Sequence, residues 1–133
     1  MALDVKQVST AALAYLGDGV WELLVRQMLV EKGISDSRRL NTEALGYVTA
    51  SAQAAAVKGL LALLTEEEEA IYRRGRNIGH TNVPKRATVM EYRMATGLEA
   101  LFGYLQLSGR TDRTRELFDL AFKGEANDEQ SQG

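Results

Sequence analysis

Apolar side chains return at helical intervals through the first part of the chain. Leu13, Leu16, Val20, Leu24 and Met28 recur every three or four positions, the period of an α-helix with one buried face. Ser9 or Thr10 can cap its start and Gly33 can end it, which predicts a helix over residues 10–32. A second helical region opens after Ser35-Asp36-Ser37 and runs to about residue 64, with Gly46 and Gly59 arguing against one unbroken helix. Thr65 followed by Glu68 has the form of a capping box. Glu66, Glu67, Glu68 and Glu69 then stand where the helix dipole favours negative charge, so the acidic run needs no metal to explain it. The helix it opens is expected to end near Asn77. Residues 79–86 (GHTNVPKR) carry the punctuation of a loop, and further helices are expected over 88–107 and 111–123. No stretch alternates as a strand would. The expected fold is all-α, one domain over residues 1–124, with a polar, apolar-poor tail over 125–133 expected to be disordered.

Composition narrows the chemistry. A chain of 133 residues is the length of one domain and can build its own core. It has no cysteine, which removes disulfides, thiolate metal sites and thiol nucleophiles. His80 is its one histidine, so a multi-histidine metal cage is excluded. Asp18, Glu22 and Arg26 interrupt the longest apolar runs, so no membrane span is expected, and the first residues lack the form of a secretory signal. These features together predict a cytoplasmic protein. The net charge of −2 conceals a local imbalance: residues 73–86 contain Arg73, Arg74, Arg76, Lys85 and Arg86 and no acid, leaving −7 on the rest. Positive charge gathered on an acidic body points to a local anion site.

Two apolar segments each carry glycines around a single acid. Gly17 and Gly19 flank Asp18, and Gly97 and Gly103 bracket Glu99. A glycine inside a helix costs about 1 kcal/mol relative to alanine, a cost tolerated where another backbone must come close. A lone carboxylate in apolar surroundings is expensive unless paired or coordinated. One solution is that the two helices cross at their glycines and bring Asp18 and Glu99 to one cation. The other is that each acid faces water, Asp18 in a solvated stripe with Ala14 and Glu22. Ligands that are all oxygen suit magnesium or manganese.

The segment RRGRN offers a complement, since arginine forks onto phosphate. Arg73, Arg74, Arg76 and Asn77, with Lys85 and Arg86 from the loop, form the candidate nucleic-acid-binding set; the alternative is a solvated surface or pairing with Glu66–Glu69. With Tyr72 the one aromatic among these cations, backbone contact with a duplex is favoured over stacking on single-stranded bases.

At AYLGDGVWE (residues 14–22) the chain resembles the signature of the ribonuclease III catalytic domain, and LEALFGYL (98–105) resembles its second signature. The Mini-III branch, which has the nuclease domain alone, is similar to this chain also in VTASAQA (48–54), in EEEEAIYRRGRN (66–77) and in PK (84–85) followed by a Tyr-Arg pair before LEALFGYL. The resemblance implies a homodimeric endonuclease that cuts double-stranded RNA with a divalent cation, magnesium by preference, manganese substituting. It assigns Asp18 and Glu99 as catalytic metal ligands and Tyr15 as the aromatic that packs into the partner subunit; a core tyrosine is the alternative. The precursor of large-subunit ribosomal RNA is the natural substrate that the branch implies. Full-length ribonuclease III carries two more acids, at positions matching Ala14 and Thr96, which implies a sparser metal shell here. The competing readings are a non-catalytic double-stranded-RNA-binding or ribosome-associated protein on the same fold, and a helical interaction protein. Trp21 is expected in core or dimer packing, His80 on the surface, Tyr92 and Arg93 near the site mouth. Glu22 is a minority candidate for holding a water on the metal.

Overall fold

Five of the six α-helices begin where a short polar side chain can take over the free backbone N–H groups of the first turn. The computed structural model describes residues 3–78 and 87–122. Helix α1 spans Thr10–Glu31, α2 Ser37–Val48, α3 Ala50–Leu60, α4 Glu66–Arg76, α5 Val89–Leu107 and α6 Thr111–Ala121, with 3-10 turns at Val5–Gln7 and Leu61–Leu63. Ser9 caps α1, Asp36 caps α2 and Thr49 caps α3, each accepting from the residue three positions on. Thr65 with Glu68 and Thr88 with Glu91 close reciprocal capping boxes on α4 and α5. There is no strand among the described residues, and the all-α expectation holds. The loop over 79–86 and the tail over 125–133 lie outside the described residues.

The expected region over 37–64 is two helices, and neither glycine divides it. Gly46 and Gly59 lie inside α2 and α3, while the break falls at Thr49, whose extended backbone ends one helix as its hydroxyl caps the next. A cap won over a propensity penalty.

Helix α5 is the axis of the molecule. Ten of its residues between Ala95 and Leu105 are buried, and it packs against α1, α3, α4 and α6. The buried line of α1 is Leu13, Gly17, Trp21, Val25 and Leu29, one position along from the apolar stripe legible in the sequence. Leu16, Val20, Leu24 and Met28 flank it, partly buried. The difference turns on Gly17. A Cβ there would overlap the backbone carbonyl of Glu99, and one at Gly103 would overlap that of Leu13. The α1–α5 crossing is therefore backbone against backbone, as the glycine pairs suggested, through Gly17 and Gly103. Gly19 meets nothing, and Gly97 serves a second crossing, in which a Cβ would lie 2.6 Å from the Tyr72 ring. Gly75 of α4 completes that crossing, where a Cβ would lie 2.8 Å from Ala100 Cβ and from Gly97 Cα.

Trp21 belongs to the core. It donates from Nε1 to the Tyr47 carbonyl at 2.8 Å and packs edge-on against Phe102 and Phe118, with Phe122 tilted beside it. At the other end Glu68, 1 % exposed, accepts two 2.8 Å hydrogen bonds from Arg113 and fastens α6 to the start of α4. Arg113 holds the Glu68 carboxyl below its ordinary range. Removing one member of such a buried pair costs about 3–5 kcal/mol, because the other is left charged and alone.

The crossing makes a direct prediction. Gly17→Ala should destabilise the protein by about 3 kcal/mol or more, since the clash is with main chain and only separation of the helices relieves it. Gly59→Ala, where a Cβ meets nothing, should leave stability unchanged or raise it by up to about 1 kcal/mol. Thermal or urea unfolding of both variants checks this, and a Gly17→Ala protein as stable as wild type would contradict the packing described.

Candidate metal centre and basic surface

One face of α1 and one face of α5 form the walls of an open cavity of about 560 Å³. Ala14, Tyr15 and Asp18 come from α1, Tyr92, Thr96 and Glu99 from α5, and Gln53 closes it from α3. The spacing of three or four residues along each helix is what puts these side chains in one row. The close approach at Gly17 sets the register: its backbone touches that of Glu99, so the next residue, Asp18, is carried to the Glu99 side chain. Ala14 and Thr96, the two positions where full-length ribonuclease III has acids, line the same cavity. The Thr96 hydroxyl donates to the Tyr92 carbonyl at 3.0 Å.

The two carboxylates differ in environment. Asp18 is exposed and Glu99 partly buried, so desolvation falls on one acid rather than on both as the sequence suggested. Burial, together with the hydrogen bond and negative charge of Asp18, raises the Glu99 carboxyl to about 8, while a hydrogen bond from Gln53 opposes the rise. At neutral pH the Glu99 carboxyl therefore keeps its proton beside Asp18, where a positive charge would be favoured in its place. This is a donor set that a hard divalent cation fits: two carboxylates, with no sulfur or imidazole among the described residues that line the cavity. No cluster of three or more histidine, cysteine, aspartate or glutamate residues able to hold a metal occurs among the described residues.

The basic set stands beside this cavity. Arg73, Arg74 and Asn77 share a second surface hollow, of about 480 Å³, with Thr10. Arg74 donates to the Thr10 hydroxyl at 3.0 Å. Thr10 is followed by Ala11 and Asn77 by Ile78, and both of these line the acidic cavity, so the two hollows adjoin. Arg73 is paired with Glu69 at 2.7 Å, an exposed contact that realises part of the pairing alternative. Arg76 lies 6.0 Å from the Tyr72 ring centroid and donates to Asn77 at 3.3 Å. Lys85, Arg86 and His80 lie outside the described residues.

Tyr15 is 87 % exposed, so it is no core residue. It projects from α1 at the lip of the cavity. Arg93 is exposed and, unlike Tyr92, does not line the cavity. Glu22 is ion-paired with Arg26 at 2.7 Å and faces the groove between α1 and α2, away from Asp18's cavity, which removes it as a candidate at the metal. Gln53 escaped the sequence analysis as a site residue. The available signal was a lone amide on a stripe otherwise made of Ala54, Ala56, Val57 and Leu60.

Comparison with known proteins identifies the family and the fold. Residues 11–110 match the model of the ribonuclease III domain. A Mini-ribonuclease 3 of Enterococcus faecalis is 43% identical over 129 residues, covering 94% of this chain and 98% of its own length. That of Symbiobacterium thermophilum is 46% identical over 109 residues, covering 82% of this chain and 84% of its own length. A crystal structure of a protein from Fusobacterium nucleatum superposes with a TM-score of 0.81 at 33% identity, covering 93% of this chain and 99% of that one. With its two signature segments meeting at one cavity, the chain belongs to the ribonuclease III family of endoribonucleases, in the Mini-ribonuclease 3 group.

Proposed function

We propose that this protein hydrolyses phosphodiester bonds in double-stranded RNA with the help of a divalent cation, magnesium or manganese, held by Asp18 and Glu99. The observation that carries the reading is the meeting of these two distant carboxylates at an open cavity, one of them raised to about 8 by burial and by the other. Bound there, the cation would supply Lewis acidity, balancing charge on the scissile phosphate and making a nucleophile available at neutral pH without a side-chain base. The protein's own part is positioning. Asp18, on the solvent side, is reachable by a polymer too large to enter a closed pocket, while Glu99 forms the drier wall. Arg74 and Thr10 stand eight residues up α1 from Asp18, about 12 Å along the helix. That separation lets guanidinium groups grip phosphates beside the one being cut. Arg73, Arg74, Arg76 and Asn77, joined by Lys85 and Arg86, are the proposed duplex-binding set. Contacts of this kind read A-form shape and 2′-hydroxyls, so sequence preference should be modest.

The proposed assembly is a homodimer. Tyr15, Leu23 and Val30, 87 %, 63 % and 61 % exposed, put apolar surface along α1 that a second copy would cover. The proposed compartment is the cytoplasm; no helix among the described residues is long and apolar enough to cross a membrane. The proposed natural substrate, the precursor of large-subunit ribosomal RNA, follows from the family resemblance and from no contact in the site.

Three measurements bear on this. With perfect duplex RNA and magnesium, Asp18→Asn and Glu99→Gln should each slow cleavage on the order of a thousandfold, as loss of about 4 kcal/mol of transition-state stabilisation implies, while duplex binding persists. Binding without cutting by the wild type would favour the non-catalytic reading, and normal cutting by Glu99→Gln would remove it as a ligand.

Duplex affinity should fall about a hundredfold between 50 and 200 mM salt, if Arg73 and Arg74 of two subunits each hold one phosphate. A salt-independent binding constant would exclude these contacts.

The metal-free protein should lose stability as pH rises from about 4.5, the ordinary glutamate value, to about 8. Over that window Glu99 stays protonated when folded and ionises when unfolded, so the unfolded state binds fewer protons. Thermal melts across the range should show the decline, and manganese should cancel it; a flat profile would mean that Glu99 is not desolvated beside Asp18.

A further inference from the structure

Besides its two acids, the cavity contains one amide. Gln53 is 3 % exposed and lines the same cavity wall as Glu99. A buried amide costs about 1–3 kcal/mol unless it is hydrogen-bonded; Gln53 stands on the cavity wall beside Glu99, and its side chain acts against the rise of the Glu99 carboxyl. With a cation held there the Glu99 carboxylate is ionised and only accepts, so the amide group that serves it is Nε2. Three other residues on these walls do not supply a donor. Ala14 has no polar atom, the Thr96 hydroxyl is spent on the Tyr92 carbonyl, and Asp18 offers a second acceptor.

We infer that Gln53 is the positioning residue of the cation site: by donating from Nε2 to one Glu99 oxygen, it fixes the rotation of that carboxylate and leaves the other oxygen to the metal. This rests on the reading of Asp18 and Glu99 as metal ligands. A glutamate side chain has three rotatable bonds, and its backbone is already fixed by the Gly17 contact, so the carboxylate rotation is the freedom left to constrain. Helix α3 supplies the constraint from a third direction. It packs against α5, and Gln53 belongs to its buried face with Ala54, Val57 and Leu60, which makes Gln53 a rigid anchor.

Gln53→Met keeps the length and removes the donor. Titrated with manganese in the absence of RNA, it should bind the ion about tenfold or more weakly than the wild type, the loss typical when the hydrogen-bond partner of a ligand is removed. Its metal-free melting temperature should stay within about 3 °C of wild type, a change under about 1 kcal/mol. In duplex cleavage the manganese concentration for half-maximal rate should rise by the same factor, and excess manganese should restore the maximal rate. Should the methionine variant fail to fold, Gln53→Asn, polar but one methylene too short to reach Glu99, should show the same weakening. Wild-type manganese affinity in a folded variant overturns the inference, as does a cleavage defect that excess manganese leaves unrelieved. A wild type that takes up no manganese overturns the ligand reading first, and this inference with it.

Discussion

The contact between the backbones of α1 and α5 governs both the fold and the candidate site. Two glycines in mid-helix cost about 1 kcal/mol each, while full burial of a single Leu, Phe or Trp recovers about 1.5–3 kcal/mol or more. Leu13, Trp21, Leu101 and Phe102 are all buried around this crossing, so packing outweighs propensity by a wide margin. Because the Gly17 backbone rests against that of Glu99, the interaction that seals the core also delivers Asp18 to its partner. Stability and site geometry share one contact.

That sharing explains the asymmetry of the acids. Gly17 faces inward and Asp18, one residue on, is rotated about 100° around the helix, enough to bring it into solvent. Glu99 has no such turn available, because buried residues flank it on both sides of α5. Desolvation therefore concentrates on Glu99, and the proton of the pair resides there. A site with one wet and one dry carboxylate stays open to a large substrate while keeping one ligand in a medium where charge interactions are strong.

Much of this was legible in the sequence, for identifiable reasons. Helix starts were read correctly where Ser9, Thr65 and Thr88 precede a helical period, because caps are local chemistry. The union of Asp18 and Glu99 was legible because costly glycines advertise close approach. The choice of glycine was not: Gly17 and Gly103 cross, Gly19 is open, and Gly97 pairs with Gly75 against α4. Only the rotational setting of each helix decides that, and a glycine gives no side chain by which a hydrophobic stripe could reveal it. The same blindness displaced the buried line of α1 by one position. Gln53 was invisible for the opposite reason, since a buried amide looks like an ordinary surface residue until its partner from α5 is in place.

The adjoining acidic and basic hollows raise the question of why they do not neutralise each other. Glu99 answers it. Were a guanidinium within close reach, its carboxyl would be held below the ordinary range, as Arg113 holds Glu68; instead it rises, and no cation among the described residues contributes to its environment. The arginines are tethered elsewhere: Arg73 to Glu69, Arg74 to Thr10, Arg76 over Tyr72. Thr10, which anchors Arg74, stands about 12 Å along α1 from Asp18, beyond the screening length of about 8 Å at physiological salt. On the proposed reading each hollow keeps its charge for an outside partner, the acids for a cation and the arginines for phosphates, and a polyanion laid across both would satisfy the second while bringing its own oxygens to the first.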